Sequence, residues 1–360
     1  MTLLIALATA AVVLASLLPT LPVQGWWVRG FDFPRLQLAV LALLLLVAQS
    51  LLLDPTSVNA QIMQGITAAC LVYQGWWIAP YLPLYPREVP SVAGDSRLPR
   101  LRLMTANVLT PNRRADLLLA RIAEARPDVL VTLESDDWWQ RQLDVLAPDY
   151  PYSVKCPQDN LYGMHLYSRW PLSDSSVDFL VEDYVPSIHT LLHLPCGTRV
   201  RMHFLHPAPP SPTENTESAE RDAELMVVAK SLAGCREPVV VAGDLNDVAW
   251  SRTTRLFRKQ SGLLDPRVGR GMFNTYHAKW SLLRWPLDHV FHSSHFAVGE
   301  LRRLPGFGSD HFALLSELVL VAQRDDEQQG LQADADTREE VDALIAGQDV
   351  SASDVPTPQA

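Results

Sequence analysis

The sequence is short of the residues that make several chemistries easy to recognise. Only four of its 360 residues are cysteine, Cys70, Cys156, Cys196 and Cys235. Cys70 lies in an apolar run and the other three form an odd set without metal-ligand spacing. That excludes a disulfide framework and a cysteine-based zinc site, and it leans towards a reducing compartment. No glycine-rich phosphate loop, heptad or cyclic repeat is present, so neither P-loop nucleotide chemistry nor a coiled coil is expected. Lysine and arginine form no concentrated stripe. Arg113, Arg114 and Arg121 read as the solvated start and face of a helix, whereas a duplex-binding nuclease would carry a basic footprint.

Charge is missing altogether from three stretches, residues 3–21, 36–53 and 61–79. Each is close to the ~20 apolar residues that cross a bilayer, although the third carries Gln61, Gln64 and Gln74. No Lys or Arg precedes the first run and a second long run follows soon after, so a span is expected there rather than a cleaved leader. The tetrapeptide QGWW occurs at 24–27 and again at 74–77. Three spans would put both copies on one face, at the boundary that tryptophan prefers. Arg29 and Arg35 in the first loop, and Arg87, Arg97, Arg100 and Arg102 after the third run, contrast with a loop at 54–60 that holds Asp54 and no base. Counting positive charges therefore places the large C-terminal region in the cytoplasm.

The formal charge of −10 is not spread evenly. From Arg324 onwards there are ten acidic and two basic residues, leaving 28 basic against 30 acidic elsewhere. This tail, residues 323–360, has no aromatic residue and is expected to be disordered, with a short helix over TREEVDALIAGQ capped by Thr337 and Glu340. Residues 81–100 are Pro-rich and read as a linker. Between them, 101–322 forms a domain of ordinary size.

Apolar runs over 101–107, 128–134, 163–169, 198–206, 238–246, 287–294 and 312–321 predict strands. Helices are expected over 115–126, 216–232 and 249–261. Many strands with few helices suggest an α/β sandwich, with packed sheets inside and helices outside. Polar residues fall at the ends of these strands: Asn107, Glu134, His206, Asp244 with Asn246, Asp288, and Asp310 with His311. Extended backbone would put Asp244 and Asn246 on one side of the chain. Groups at strand ends can gather at one rim, where a site forms outside the core. Oxygen donors with two histidines suit Mg²⁺ or Mn²⁺ better than zinc. A zinc reading of His203 and His206 fails because positions i and i+3 of a strand face opposite ways. A hard ion beside His and Asp suits water attack on phosphorus.

The ordered series in MTANV, VTLES, FLHPAPP, VAGDLND, PLDHV and GSDHFAL resembles the endonuclease/exonuclease/phosphatase superfamily of DNase-I-like phosphoesterases across residues 101–321. It looks most like the bacterial membrane-anchored members, whose resemblance implies a multi-pass inner-membrane protein. The resemblance implies a four-layer sandwich of two sheets flanked by helices. It implies that Asn107, Glu134 and Asp310 hold the divalent ion, Mg²⁺ or Mn²⁺. Asp244 and Asn246 would position water or phosphate, His311 oriented by Asp288 would contact the scissile phosphate, and His206 would act as the second histidine. The family implies a phosphoester substrate: nucleic acid, a phospholipid headgroup at the bilayer, or a small phosphodiester. A phosphomonoesterase and a non-catalytic scaffold keeping the fold are the alternatives. DDWWQRQ at 136–142 and Trp280 and Trp285 before PLDH are candidates for a substrate wall or simple packing.

Overall fold

The computed structural model describes residues 1–94, 96–321 and 330–357. The apolar N-terminal region folds as helices α1 (Thr2–Leu17), α2 (Trp26–Arg29), α3 (Arg35–Leu52) and α4 (Val58–Ile78). Two segments, Thr2–Thr20 and Arg35–Leu52, are long and apolar enough to cross a membrane. The third expected span is a helix but is not among these two; its glutamines lower its hydropathy.

Glutamines inside the bundle have partners. Gln74 donates to Ser16 Oγ at 3.0 Å and accepts from Arg35 at 3.3 Å. Gln49, on α3, donates to Thr9 and Thr67, both at 2.9 Å. Polar side chains thus join α1, α3 and α4 from within, while Leu7, Leu14, Leu41, Leu44, Leu51 and Val72 face outwards.

The remaining chain builds two sheets. The first has six strands, with β1 (Arg100–Asn107), β2 (Val129–Leu133), β3 (Tyr152–Cys156), β4 (Met164–Ser168), β10 (Phe296–Arg303) and β11 (Leu314–Leu320) in the order β10-β11-β1-β2-β4-β3. The second has five, β5 (Leu172–Asp178), β6 (Ser187–His193), β7 (Arg199–Leu205), β8 (Val239–Asp244) and β9 (Asp288–His292), paired in sequence order. One continuous core lies between them, drawing Leu103, Val131 and Leu166 from one sheet and Met202, Phe204 and Val240 from the other. Helices α5 (Ala115–Ala125) and α6 (Asp137–Leu143) cover the first sheet; α7 (Ala219–Ser231), α8 (Arg252–Ser261) and α9 (Ala335–Ala346) cover the second. This is the expected sandwich of two mixed sheets with flanking helices.

Two stretches differ from expectation. The Pro-rich segment after α4 runs along the domain instead of hanging free: Glu88 pairs with Arg258 at 2.6 Å and Val89 is fully buried. Within the tail expected to be disordered, α9 buries Val341 and Ile345, and Val355 joins them, against α7 and α8. Its cap is Asp334, which accepts from the Thr337 amide, so the helix begins ahead of the anticipated Thr337 box. Of the expected tail, residues 323–329 and 358–360 lie outside the described residues.

Candidate active site

Strand direction explains why distant residues meet. At the centre of each sheet is one parallel pair, β1 with β2 and β7 with β8. Parallel neighbours end on the same side, so Asn107 and Glu134 emerge together, as do His206 and Asp244. The strands β9 and β11 run antiparallel to β8 and β1, and their beginnings reach the same rim. Asp288 opens β9 opposite Asp244, and Asp310-His311 precede β11. Outside the carboxyl ends of parallel strands is where open α/β sheets place ligands. The two rims face each other across the sandwich.

Asn107 joins the two halves. Its Nδ2 donates to Glu134 Oε1 at 2.7 Å and to Asp244 Oδ2 at 3.2 Å. Its Oδ1 accepts from the Leu109 amide, so towards the carboxylates it presents hydrogens and not the oxygen expected of a metal ligand. Glu134 sits at a φ of +60°, with its carbonyl held by Thr110 Oγ1. Its Oε2 is buried without a hydrogen-bond partner. Burial raises its carboxyl to about 7 against the pull of Asn107 and His311.

His311 lies between two carboxylates. Nδ1 is 2.8 Å from Asp288 Oδ2 and Nε2 is 3.4 Å from Asp244 Oδ2. Burial alone would favour the neutral ring, but Asp244 and Asp288 outweigh it and lift the imidazole to about 10. Asp244, for its part, is held below the usual carboxylate range, with His311 and His206 overcoming its desolvation. Ser309, unremarked in the sequence, accepts from the His311 amide and donates to the Asn107 carbonyl at 2.8 Å. Tyr276, also unforeseen, lies with its ring centroid 4.9 Å from that of His311.

His206 is buried, its Nε2 4.0 Å from Asp244 Oδ2 and its ring 5.5 Å from that of Tyr162. Burial drops its pKa to about 4. His203 points away into the sheet, where its Nδ1 meets His189 Nδ1 at 2.6 Å, as strand alternation requires. Asp244 and Asn246 do not share one face of an extended chain. The strand ends at Asp244, Asn246 takes a φ of +51°, and its amide donates to Asp244 Oδ1 in an Asx turn. The Asn246 side chain donates to the Pro207 carbonyl, which ties the turn to the segment after His206. Arg221 of α7, buried beside Asp222 and Asp247, holds the Asn246 carbonyl at 2.9 Å. Only the adjacent acids of ERD hinted at such a role. At Gly243 a Cβ would lie 1.9 Å from the Leu205 carbonyl oxygen, so glycine is required where β7 and β8 come closest.

Asp310 is part-exposed beside this group, with its carboxylate 3.3 Å from Ser309 Oγ. Trp138 of DDWWQRQ stacks under the Arg113 guanidinium, and Trp139 on α6 is buried in the core against the first sheet. Trp285 packs on Phe33 and Tyr276, while Trp280 is exposed. Donor atoms of Asp244, Asp288 and His311 all lie within 4.8 Å, a spacing able to hold a metal ion. With its pKa lifted by the same two acids, the His311 ring can itself supply the positive charge between them. Two carboxylate oxygens of the site are buried without a hydrogen-bond partner, Glu134 Oε2 and Asp288 Oδ1, and the first suits a hard ion on the Glu134–Asp310 side.

The fold has known counterparts. The chain is similar to the endonuclease/exonuclease/phosphatase of Beutenbergia cavernae, at 19% identity, TM-score 0.52, covering 62% of this chain and 72% of that one. A family protein from Bacteroides thetaiotaomicron aligns at 17% identity and TM-score 0.52, covering 63% and 100%. The human Nocturnin catalytic domain with bound sulfate aligns at 19% identity and TM-score 0.50, covering 62% and 96%. No curated protein matches the sequence. The model of the Endonuclease/Exonuclease/phosphatase family matches residues 104–311, from within β1 to the Asp-His pair. The chain therefore belongs to the endonuclease/exonuclease/phosphatase family.

Proposed function

We propose that this chain is a membrane-anchored, Mg²⁺- or Mn²⁺-dependent phosphoesterase that directs water onto a phosphodiester. The observation that carries the reading is the His311 ring clamped between Asp288 and Asp244, opposite a buried carboxylate oxygen of Glu134 with no partner. Glu134 and Asp310 would hold the divalent ion, and Asn107 would keep Glu134 and Asp244 in register by donating to both. When bound, such an ion neutralises phosphate oxygens and lowers the pKa of its water. His311 carries a positive charge at neutral pH and meets the negative charge that grows on phosphoryl oxygens. Asp244 remains ionised and stands where a carboxylate can orient water and take its proton. Asn246 is fixed beside it through Pro207 and Arg221. His206 is neutral and offers an N–H hydrogen bond to phosphate in place of a proton.

Membrane attachment is supported by the inside-out pattern of the helices. In water, leucine faces inwards; here Gln49, Thr67 and Gln74 are inside while Leu7, Leu14, Leu41, Leu44 and Leu51 are outside. That is the distribution suited to hydrocarbon, where polar side chains bridge helices. Gly25 of the first loop bridges Glu217, and Tyr81 donates to the Ala249 carbonyl at 2.6 Å, so the first loop and the end of α4 both meet the catalytic domain. This arrangement supports three crossings in a bacterial inner membrane, with the domain on the cytoplasmic side that the arginine count favours.

The direct test is hydrolysis of bis(4-nitrophenyl) phosphate with Mg²⁺ by the purified full chain and by its His311→Ala variant. Loss of a central charge-stabilising group lowers the rate by roughly 10²–10³-fold. Equal rates would overturn the assignment.

A further inference from the structure

Among the described residues of the catalytic domain, one loop exposes large apolar side chains side by side. It leaves the site at Tyr276 and returns at Trp285, and its turn is closed by the Leu283 amide on the Trp280 carbonyl at 3.1 Å. Trp280 is 63% exposed, Leu282 82% and Leu283 49%. The loop is nonetheless well held. Arg284 donates from Nε to the His277 carbonyl and from Nη2 to the Ala278 carbonyl, and the Ala278 amide donates to the Asp310 carbonyl at 2.6 Å. Its base is therefore bonded to the backbone of the Asp-His pair, and Tyr276 lies against the His311 ring.

Its tip meets the N-terminal helices. Gln37, in the first turn of α3, donates to the Leu282 carbonyl at 2.8 Å, and Phe33 packs edge-on against Trp285 at 5.6 Å. The contact falls where the uncharged run of α3 begins, within a turn of the outward-facing Val40 and Leu41. Trp76 and Trp77, at the same end of the bundle, take the Arg255 guanidinium over their rings, and Trp76 is exposed. Tryptophan prefers the interfacial zone, and Lys279 beside the tip suits anionic headgroups.

We propose that the 276–285 loop is a membrane-contacting element: Trp280, Leu282 and Leu283 enter the bilayer interface next to α3 and hold the mouth of the site at the lipid surface. The substrate class is then a phosphodiester carried in a phosphoglyceride headgroup. This rests on the phosphoesterase reading and narrows it. Burying three such side chains in the interface contributes enough to fix the loop against the surface.

The test uses the full chain reconstituted in vesicles of phosphatidylethanolamine and phosphatidylglycerol. Turnover of vesicle phosphoglyceride and of bis(4-nitrophenyl) phosphate is measured for the wild type and for the combined Trp280→Ser, Leu282→Ser, Leu283→Ser variant. The expected result is wild-type cleavage of the lipid headgroup and a fall of at least ~10-fold in the ratio of lipid to soluble-ester turnover in the variant. An unchanged ratio overturns the proposal, as does a wild type that cleaves single-stranded DNA or the soluble ester and leaves the lipid intact. Absence of metal-dependent turnover on every substrate overturns the phosphoesterase reading instead.

Discussion

Asp244 and Asp288 face each other across β8 and β9. Two buried like charges in register repel strongly, and the ring of His311 between them turns repulsion into attraction. The three side chains behave as one unit of net charge −1. Removing one acid alters what the histidine can hold. In Asp288→Asn the imidazolium loses a partner, so its pKa falls from about 10. If protonated His311 drives the reaction, the alkaline limb of the pH–rate profile moves to lower pH by a unit or more, since one unit is ~1.4 kcal/mol of interaction. A limb that stays in place shows that His311 is not the titrating group. Linkage adds a second sign. A histidine raised above its unfolded value stabilises the fold fully below about pH 6.5. That contribution fades as pH climbs towards 10.

Elements carried the site further than single residues did. The runs of β2, β8 and β11 were legible because strands buried on both faces read as nearly continuous Val and Leu, and those of β1 and β7 because apolar residues alternate with Arg before a continuous end. Edge and polar strands escaped. β5 reads LSDSSVD, and β6 hides a histidine among its apolar residues. The order of the residues gathered at the rim was legible because it follows strand ends, a property of sequence. The inward turn of the Asn107 oxygen and the left-handed Asn246 were not, because both depend on hydrogen bonds to the backbone. The strand-end position marked His206, which reaches the site, but nothing in the sequence pointed to His189, which reaches His203 between β6 and β7. Burial depresses His189 to about 4. An unfolded chain takes up that proton near pH 6.5, so wild-type stability drops as pH falls from 6.5 towards 4. In His189→Asn that component is gone. Urea unfolding at several pH values should show a slope shallower by up to ~1.4 kcal/mol per pH unit. Parallel slopes would place the titration elsewhere.

At the scale of the whole molecule, the acidic tail closes the outer face of the second sheet's helices. Val341, Ile345 and Val355 are covered there, each worth about 1.5–3 kcal/mol when buried. A chain ending after Val321 should therefore melt at least ~5 °C lower, and an unchanged Tm would show that α9 adds nothing to the fold. The Glu88–Arg258 pair and the buried Val89 have a consequence of a different kind. They remove the slack from the connection between α4 and β1. A flexible linker of ~20 residues would let a domain roam over roughly 25 Å. Here there is no leash, and the mouth of the site keeps one height and one tilt relative to the helices. With the helices in a bilayer, as proposed, such an enzyme would not sample the surrounding volume for its substrate. It would wait on a plane for molecules that drift past within that plane, and its encounter rate would scale with how crowded that surface is.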